Sequence, residues 1–266
     1  MKKILFPTDF SKTAQNALAY AIDLANRFGS QLLLLHAYEV RTTASTLIKM
    51  ESYIQDDAER DMAQWLQQIS PQLKNGATVD HKIINGNSTD AIADIAKIQG
   101  YDLIIMGTQG ANSMLEAMLG THTNNVLKNT EIPILAIPDG VAYRPFQTIV
   151  LAVDEIESFR VDTLKPLVNI AQNHASMVRV YHKDEANDGL NTAIDAYLEG
   201  LDRSYHYELD TDNLIESLSD FVQEYNADLL CMIRRQRTFL ENVFHDSATS
   251  QEAFTAKVPL LLLHDM

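Results

Sequence analysis

Short apolar runs of strand length, several of them apolar on consecutive residues, alternate along the chain with longer segments in which apolar residues recur at helical spacing. In the first half the runs are Ile4 to Phe6, Leu32 to His36, Val79 to Ile84, Leu103 to Met106 and Ile134 to Ile137. Apolar residues on consecutive positions suit strands covered on both faces, as in a parallel sheet. Between them, Ala14, Ala17, Leu18, Ala21, Ala25 and Phe28 fall on one helical stripe, stopped by Gly29. Leu47, Met50, Ile54, Ala58, Trp65, Leu66 and Ile69 form a longer stripe that ends before Pro71. Ala91, Ile92, Ile95, Ala96 and Ile98 form a third, with Ser88 or Thr89 as the expected N-cap and Gly100 as the stop. Strand-helix alternation of this kind predicts right-handed crossovers with helices on both faces of a sheet. The fold class is α/β.

The pattern occurs twice. Ile4-Leu5-Phe6-Pro7-Thr8-Asp9 is echoed by Ile149-Val150-Leu151-Ala152-Val153-Asp154, each an apolar run ending in aspartate. Tyr101 to Met106 is echoed by Ala227 to Met232, and Ile132 to Ile137 by Val258 to Leu263. Three landmarks in one order point to duplication. The first pair is offset by 145 residues and the other two by 126, so the second copy lacks 19 in its middle. Its second helix is expected to be shortened, around Leu190–Leu201. Asp139 to Phe146, with Gly140 and Pro145, reads as the linker. The expected domains are therefore residues 1–139 and 147–266, a division that suits a length of 266.

Charge narrows the partners. The chain carries 21 basic and 36 acidic residues, a formal charge of −15, which disfavours nucleic acid or an anionic membrane surface. Up to Asp139 there are 11 basic and 15 acidic residues, and after it 10 and 21, so the second half holds most of the excess. Met1-Lys2-Lys3 runs directly into Ile4, too short for a signal-peptide core, and no stretch of membrane-spanning length is apolar throughout. The expected location is cytoplasmic. A single cysteine, Cys231, excludes an internal disulfide framework, and its place in an apolar strand predicts a buried, inert thiol.

Open parallel sheets bind ligands beyond the carboxyl ends of their strands. Two first-half loops at such ends stand out: Pro7-Thr8-Asp9-Phe10-Ser11, and Gly107-Thr108-Gln109-Gly110, followed nine residues later by Gly120-Thr121-His122-Thr123. Glycines at 107 and 110 would let backbone approach a ligand with no Cβ in the way. Gly120-Thr121 would precede a short helix, Thr123–Lys128, whose N–H groups face an anion, with Thr121 and Thr123 adding hydroxyls. These are parts of a phosphate cradle without a lysine; against this stands the plainer reading that the glycines only turn the chain.

Gly107-x-x-Gly110, nine residues, then Gly120-Thr121, followed by Val126-Leu127 and Ile132-Pro133-Ile134-Leu135, resembles the nucleotide-binding signature of the universal stress protein family. The likeness covers residues 2–138 nearly end to end and 147–264 more loosely. It implies tandem Rossmann-like sheets of the adenine nucleotide alpha hydrolase type, five strands each in the order 3-2-1-4-5. It also implies ATP, or AMP or ADP, across strands one and four, with Mg²⁺ as an accompanying ion. Carried over by position, Pro7, Thr8 and Asp9 would meet adenosine and the backbone of Ala37 the adenine. Met106, Gly107, Gly110, Gly120, Thr121 and Thr123 would hold ribose and phosphates. His122 departs from the small apolar residue often found there, which leaves its side chain unassigned. In this family single domains commonly associate through their last strands, so strand five of each half is expected to pair with the other as a pseudo-dimer; a homodimer of the whole chain is a further expectation.

The second copy loses these residues. Gly107 and Gly110 correspond to Ile233 and Gln236, Gly120 to Asp246, Thr121 to Ser247, and Pro7-Thr8 to Ala152-Val153; Asp154 survives. β-Branched Ile233 resists unusual backbone angles and Asp246 repels phosphate. One nucleotide per chain is therefore expected. Arg234, Arg235 and Arg237 read as a solvated loop balancing an acidic half, Asn87-Ser88-Thr89 as a helix cap rather than a glycosylation site, and His36 as ligand contact or packing alike. No metal-ligand spacing, Walker-type lysine or nucleophile elbow appears. The expected function is a nucleotide-binding regulatory or protective protein with no catalytic residue. The rivals are a slow ATPase or adenylyl-transfer enzyme, and an interaction module without nucleotide.

Overall fold

The apolar runs become strands β1 (Lys3–Pro7), β2 (Gln31–Tyr38), β3 (Thr78–Asn85), β4 (Leu103–Thr108) and β5 (Ile134–Pro138) in the first half. The second half supplies β6 (Thr148–Val153), β7 (Met177–His182), β8 (Asp202–Tyr207), β9 (Leu229–Arg234) and β10 (Leu260–His264). The helices are α1 (Lys12–Phe28), α2 (Leu47–Ile69), α3 (Ser88–Ile98), α4 (Met114–Asn129), α5 (Lys165–His174) and α6 (Leu214–Glu224). The structure is a computed structural model, and it describes residues 1–40, 47–108, 114–153, 162–182, 194–208, 214–234 and 257–265.

All ten strands join one sheet, in the order β3-β2-β1-β4-β5-β10-β9-β6-β7-β8. The first five read 3-2-1-4-5, and β8-β7-β6-β9-β10 repeats that order in the second half. Neighbours run parallel except at the centre, where β10 lies antiparallel to β5 with Leu261 opposite Leu135. Consecutive apolar residues alternate between the two faces of the sheet. Leu135 and Leu261 thus belong to one core layer, Ala136 and Leu262 to the other, and both layers run through both halves.

Residues outside the strands repeat the same jobs. Asp102 Oδ2 accepts from the N–H groups of Lys2 and Lys3 at the start of β1, and Asp228 Oδ2 accepts from Gln147 and Thr148 at the start of β6. His36 Nδ1 donates to the Thr8 carbonyl at 2.8 Å, and His182 Nδ1 to the Val153 carbonyl at 2.9 Å. His36 therefore ties the carboxyl ends of β1 and β2 together. Gly29 ends α1 with φ of 62°, in the left-handed region; Ala175 ends α5 the same way at 52°, with a Cβ penalty that glycine avoids.

The first helix also grips the linker and the second half. Asn16 Nδ2 donates to the Pro138 and Val141 carbonyls, and the Tyr20 hydroxyl donates to the Ala142 carbonyl. Asp23 is paired with Arg27 at 2.6 Å and lies 3.5 Å from Nε2 of the buried His174 on α5. Burial alone would raise the Asp23 carboxyl, but the nearby polar groups of His174 and Tyr143 and the hydrogen-bonded Arg27 hold it below its ordinary value. A carboxyl depressed by folding stabilises above its unfolded value, near 4, and that contribution fades as pH falls through the lower folded value. Asp23→Asn is expected to cost about 1–3 kcal/mol at pH 7 and to flatten the acid limb of stability below about pH 4. Thermal midpoints measured against pH check this; parallel acid limbs for both proteins would refute it.

Candidate functional site

Beyond the carboxyl ends of β1, β2 and β4, the first turns of α1 and α3 and the middle of α4 close around a cavity of about 470 Å³. That size lies within the range of small-molecule sites. Leu35, Ala37, Ile92 and Met106 give it an apolar part; Ser11, Thr13, Ser88, Thr108, Thr121 and Thr123 give it hydroxyls. Asp9 is the one formally charged side chain on its described wall.

Local hydrogen bonds shape the loop after β1. Thr8 Oγ1 accepts from Phe10 N, Asp9 Oδ1 from Ser11 N, and Ser11 Oγ from Ala14 N, the last as the N-cap of α1. The loop turns through Phe10, whose φ of 60° is unusual for a bulky residue. Its ring is held 4.6 Å from that of His36 and edge-on to Trp65. The capped first turn of α1 consequently brings its partial positive charge to the cavity wall.

Gly107 is needed for a different reason from the one its spacing suggests. A Cβ there would meet the Thr13 carbonyl oxygen at 2.6 Å and the carbonyl carbon at 2.9 Å. The space a side chain would fill is thus taken by the first turn of α1, not kept open for a ligand. Gly107 still borders the cavity, on a wall whose shape depends on that close approach.

The expected short helix Thr123–Lys128 is corrected: α4 is continuous from Met114 to Asn129, so Gly120, Thr121, His122 and Thr123 lie within it. One glycine among Met, Leu and Ala costs a helix about 1 kcal/mol, too little to end it. The residues at 121–123 therefore meet the cavity with side chains rather than with a helix N-terminus. Helix α3 carries a second correction. Its N-cap is Asn87, whose Oδ1 accepts from Thr89 and Asp90 N. Ser88, not needed as the cap, pairs instead with His122, its Oγ 2.8 Å from Nε2. Partial desolvation at the cavity wall lowers the pKa of His122, although the residue remains solvent-exposed, and the carboxylate of Asp9 partly opposes the shift.

Of the residues singled out from sequence, Pro7, Thr8, Asp9, Ala37, Met106, Gly107, Thr121, His122 and Thr123 all line this one cavity. Gly120 lies in α4 next to them, and Gly110 is outside the described residues. Ser11 and Thr108, members of the two loops marked out by the sequence, line it as well, as do Thr13 and Ser88, for which the sequence suggests no ligand role. Their position at or just past strand ends and helix starts was the available signal. In the second half, Val153 and Ile233 are buried at the corresponding strand ends. Asp154, Arg235, Gln236, Arg237, Asp246 and Ser247 fall outside the described residues, while Arg234 closes β9 opposite His264. Cys231 is fully buried, which pushes its thiol well above the ordinary range. No metal-ligand cluster occurs among the described residues, and no described helix is long and apolar enough to cross a membrane.

The universal stress protein family profile matches residues 1–138. Over 152 residues the chain is 29% identical to universal stress protein MJ0577 of Methanocaldococcus jannaschii, covering 51% of this chain and 94% of that protein. It is likewise 29% identical over 136 residues to a universal stress protein of Thermus aquaticus, across 98% of that protein and 51% of this chain. A universal stress protein from Archaeoglobus fulgidus aligns in structure over 99% of this chain and 96% of its own, with a TM-score of 0.73 at 18% identity. At that identity the likeness shows a shared fold across both halves.

Proposed function

The chain belongs to the universal stress protein family, and on that footing we propose that its first half binds one adenine nucleotide, ATP or AMP or ADP, in a regulatory or protective role. The observation that carries this reading is convergence. Residues from the β1 loop, β2, β4 and α4, marked out by the nucleotide signature, border one cavity with an apolar part for a base and hydroxyls for a ribose and phosphates. An accompanying Mg²⁺ would be held largely by the phosphates themselves and by water. Its chemistry there is charge neutralisation.

Fast phosphoryl transfer calls for a cation beside the γ-phosphate. No lysine or arginine stands on the described wall, which favours binding over turnover. The domain division 1–139 and 147–266, an intramolecular pseudo-dimer through β5 and β10, and a cytoplasmic address complete the proposal; the antiparallel join of those strands supports the pseudo-dimer. A homodimer of the whole chain has no residue to support it.

Calorimetric titration of ATP into protein stripped of ligand is the test. The expected stoichiometry is one per chain, because the second copy has lost Pro-Thr, both loop glycines and the Gly-Thr pair. Absence of binding would refute the reading, and a stoichiometry of two would refute the loss in the second half.

A further inference from the structure

We propose that His122 and Ser88 form a proton-operated phosphate contact, so that this cavity selects charged nucleotides over adenosine more strongly as pH falls. The inference rests on the adenine-nucleotide reading and concerns a residue that the family likeness leaves unassigned.

The geometry comes first. Ser88 Oγ and His122 Nε2 are 2.8 Å apart, and both side chains border the cavity. With His122 neutral and its proton on Nδ1, Nε2 accepts from the serine, and the serine proton is used up inside the pair. With His122 protonated, Nε2 is the donor. The serine oxygen then accepts, and its proton turns outward. One proton taken up thus adds a positive charge and frees a hydroxyl donor, both next to Thr121 and Thr123. No lysine or arginine among the described residues of this wall offers an anion the same.

The surroundings set the direction. The β1 loop presents Asp9, whose carboxylate favours the charged imidazole, while partial desolvation at the cavity wall favours the neutral one and is the larger influence. The wall segments of α1, β4 and α3 present hydroxyls and apolar groups, with no other titratable side chain among the described residues. His122 is therefore mostly neutral at pH 7.5 in the free protein. A bound polyphosphate, an anion at contact distance, pulls the imidazole back towards its charged form. Binding of ATP then takes up a proton between about pH 5 and pH 7. Adenosine, without charge, takes up none.

The experiment compares the protein with His122→Asn, which keeps a hydrogen-bonding side chain that never ionises. Because ATP itself titrates in this range, the ratio of the two affinities is followed at each pH, cancelling the ligand's own protonation. The ratio is expected to be near one at pH 8 and at least about fivefold in favour of the unmodified protein at pH 5.5. For adenosine it should stay near one throughout. Proton NMR of the unmodified protein supplies a second reading without a variant: the His122 titration should move up when ATP is bound and stay put with adenosine. Equal pH profiles for the two proteins, or an imidazole titration that ATP leaves unmoved, overturn the inference while nucleotide binding stands. Failure of both ATP and adenosine to bind overturns it together with the reading it rests on.

Discussion

Replacing Leu261 by alanine should lower stability by about 2–5 kcal/mol and move a single unfolding transition of the whole chain down by roughly 5–15 °C. Leu261 and its cross-strand partner Leu135 are both fully buried, in the antiparallel pair that joins the two halves. Their core layer is continuous, holding Ile105 and Ile137 on one side of the join and Cys231 and Leu263 on the other. A cavity opened there is lined by side chains of both halves, so neither half can unfold without losing contacts in the other. Apart, β5 and β10 would each be an edge strand of consecutive apolar residues, an invitation to intermolecular pairing. Calorimetry provides the check. Two separate transitions, only one of which moves, would mean that the halves fold independently. A shift below 1 °C would mean that the join carries little of the stability. Leu135→Ala combined with Leu261→Ala should fall short of additivity, because the two truncations open one shared cavity.

What the sequence reveals differs sharply from element to element. Consecutive apolar residues mark β1, β2, β4 and β5, because a parallel sheet covered on both faces has no polar side to interrupt the pattern, whereas β3 at the sheet edge carries Asp80, His81 and Lys82 within its run. The expected stripe from Leu47 to Ile69 coincides with α2. Misreadings cluster where one residue has two competing uses. The spacing at Gly120 suggests a helix boundary, but nothing beside it breaks a helix, and α4 runs straight through. Within Asn87-Ser88-Thr89 the pattern favours Ser88 or Thr89 as the N-cap, a role that Asn87 fills, leaving the serine for His122. His36 had a ligand and a packing reading, and its bond to the Thr8 carbonyl makes it a tie between strands. Such choices depend on which atoms lie across the fold, a relation that no spacing along the chain encodes. The wall contributed by Thr13 shows the same limit, since its approach to Gly107 joins residues 94 apart.

Gly107→Ala is expected to cost about 1–3 kcal/mol of stability and to weaken nucleotide binding at least about tenfold, or 1.4 kcal/mol. The contact at fault is backbone: a new Cβ would stand 2.6 Å from the Thr13 oxygen, and no rotamer change can relieve that. Gly107 needs no left-handed conformation, so the penalty is one of space alone. Relief requires the start of α1 to move off β4, and three ties resist it. Ser11 caps the helix, Thr13 Oγ1 reaches Asp139, and Asn16 holds the Pro138 and Val141 carbonyls. Displacing the turn would move Ser11 and Thr13 on the cavity wall, so fold and affinity should fall together. A glycine kept only for ligand approach makes a different prediction, lower affinity at unchanged thermal stability. Melting temperature and ATP titration measured on the same preparation separate the two. A melting temperature within 1 °C of the parent would refute the close approach of α1, whatever the affinity does. A clear loss of stability with full affinity would show instead that the first turn of α1 is not part of the binding wall.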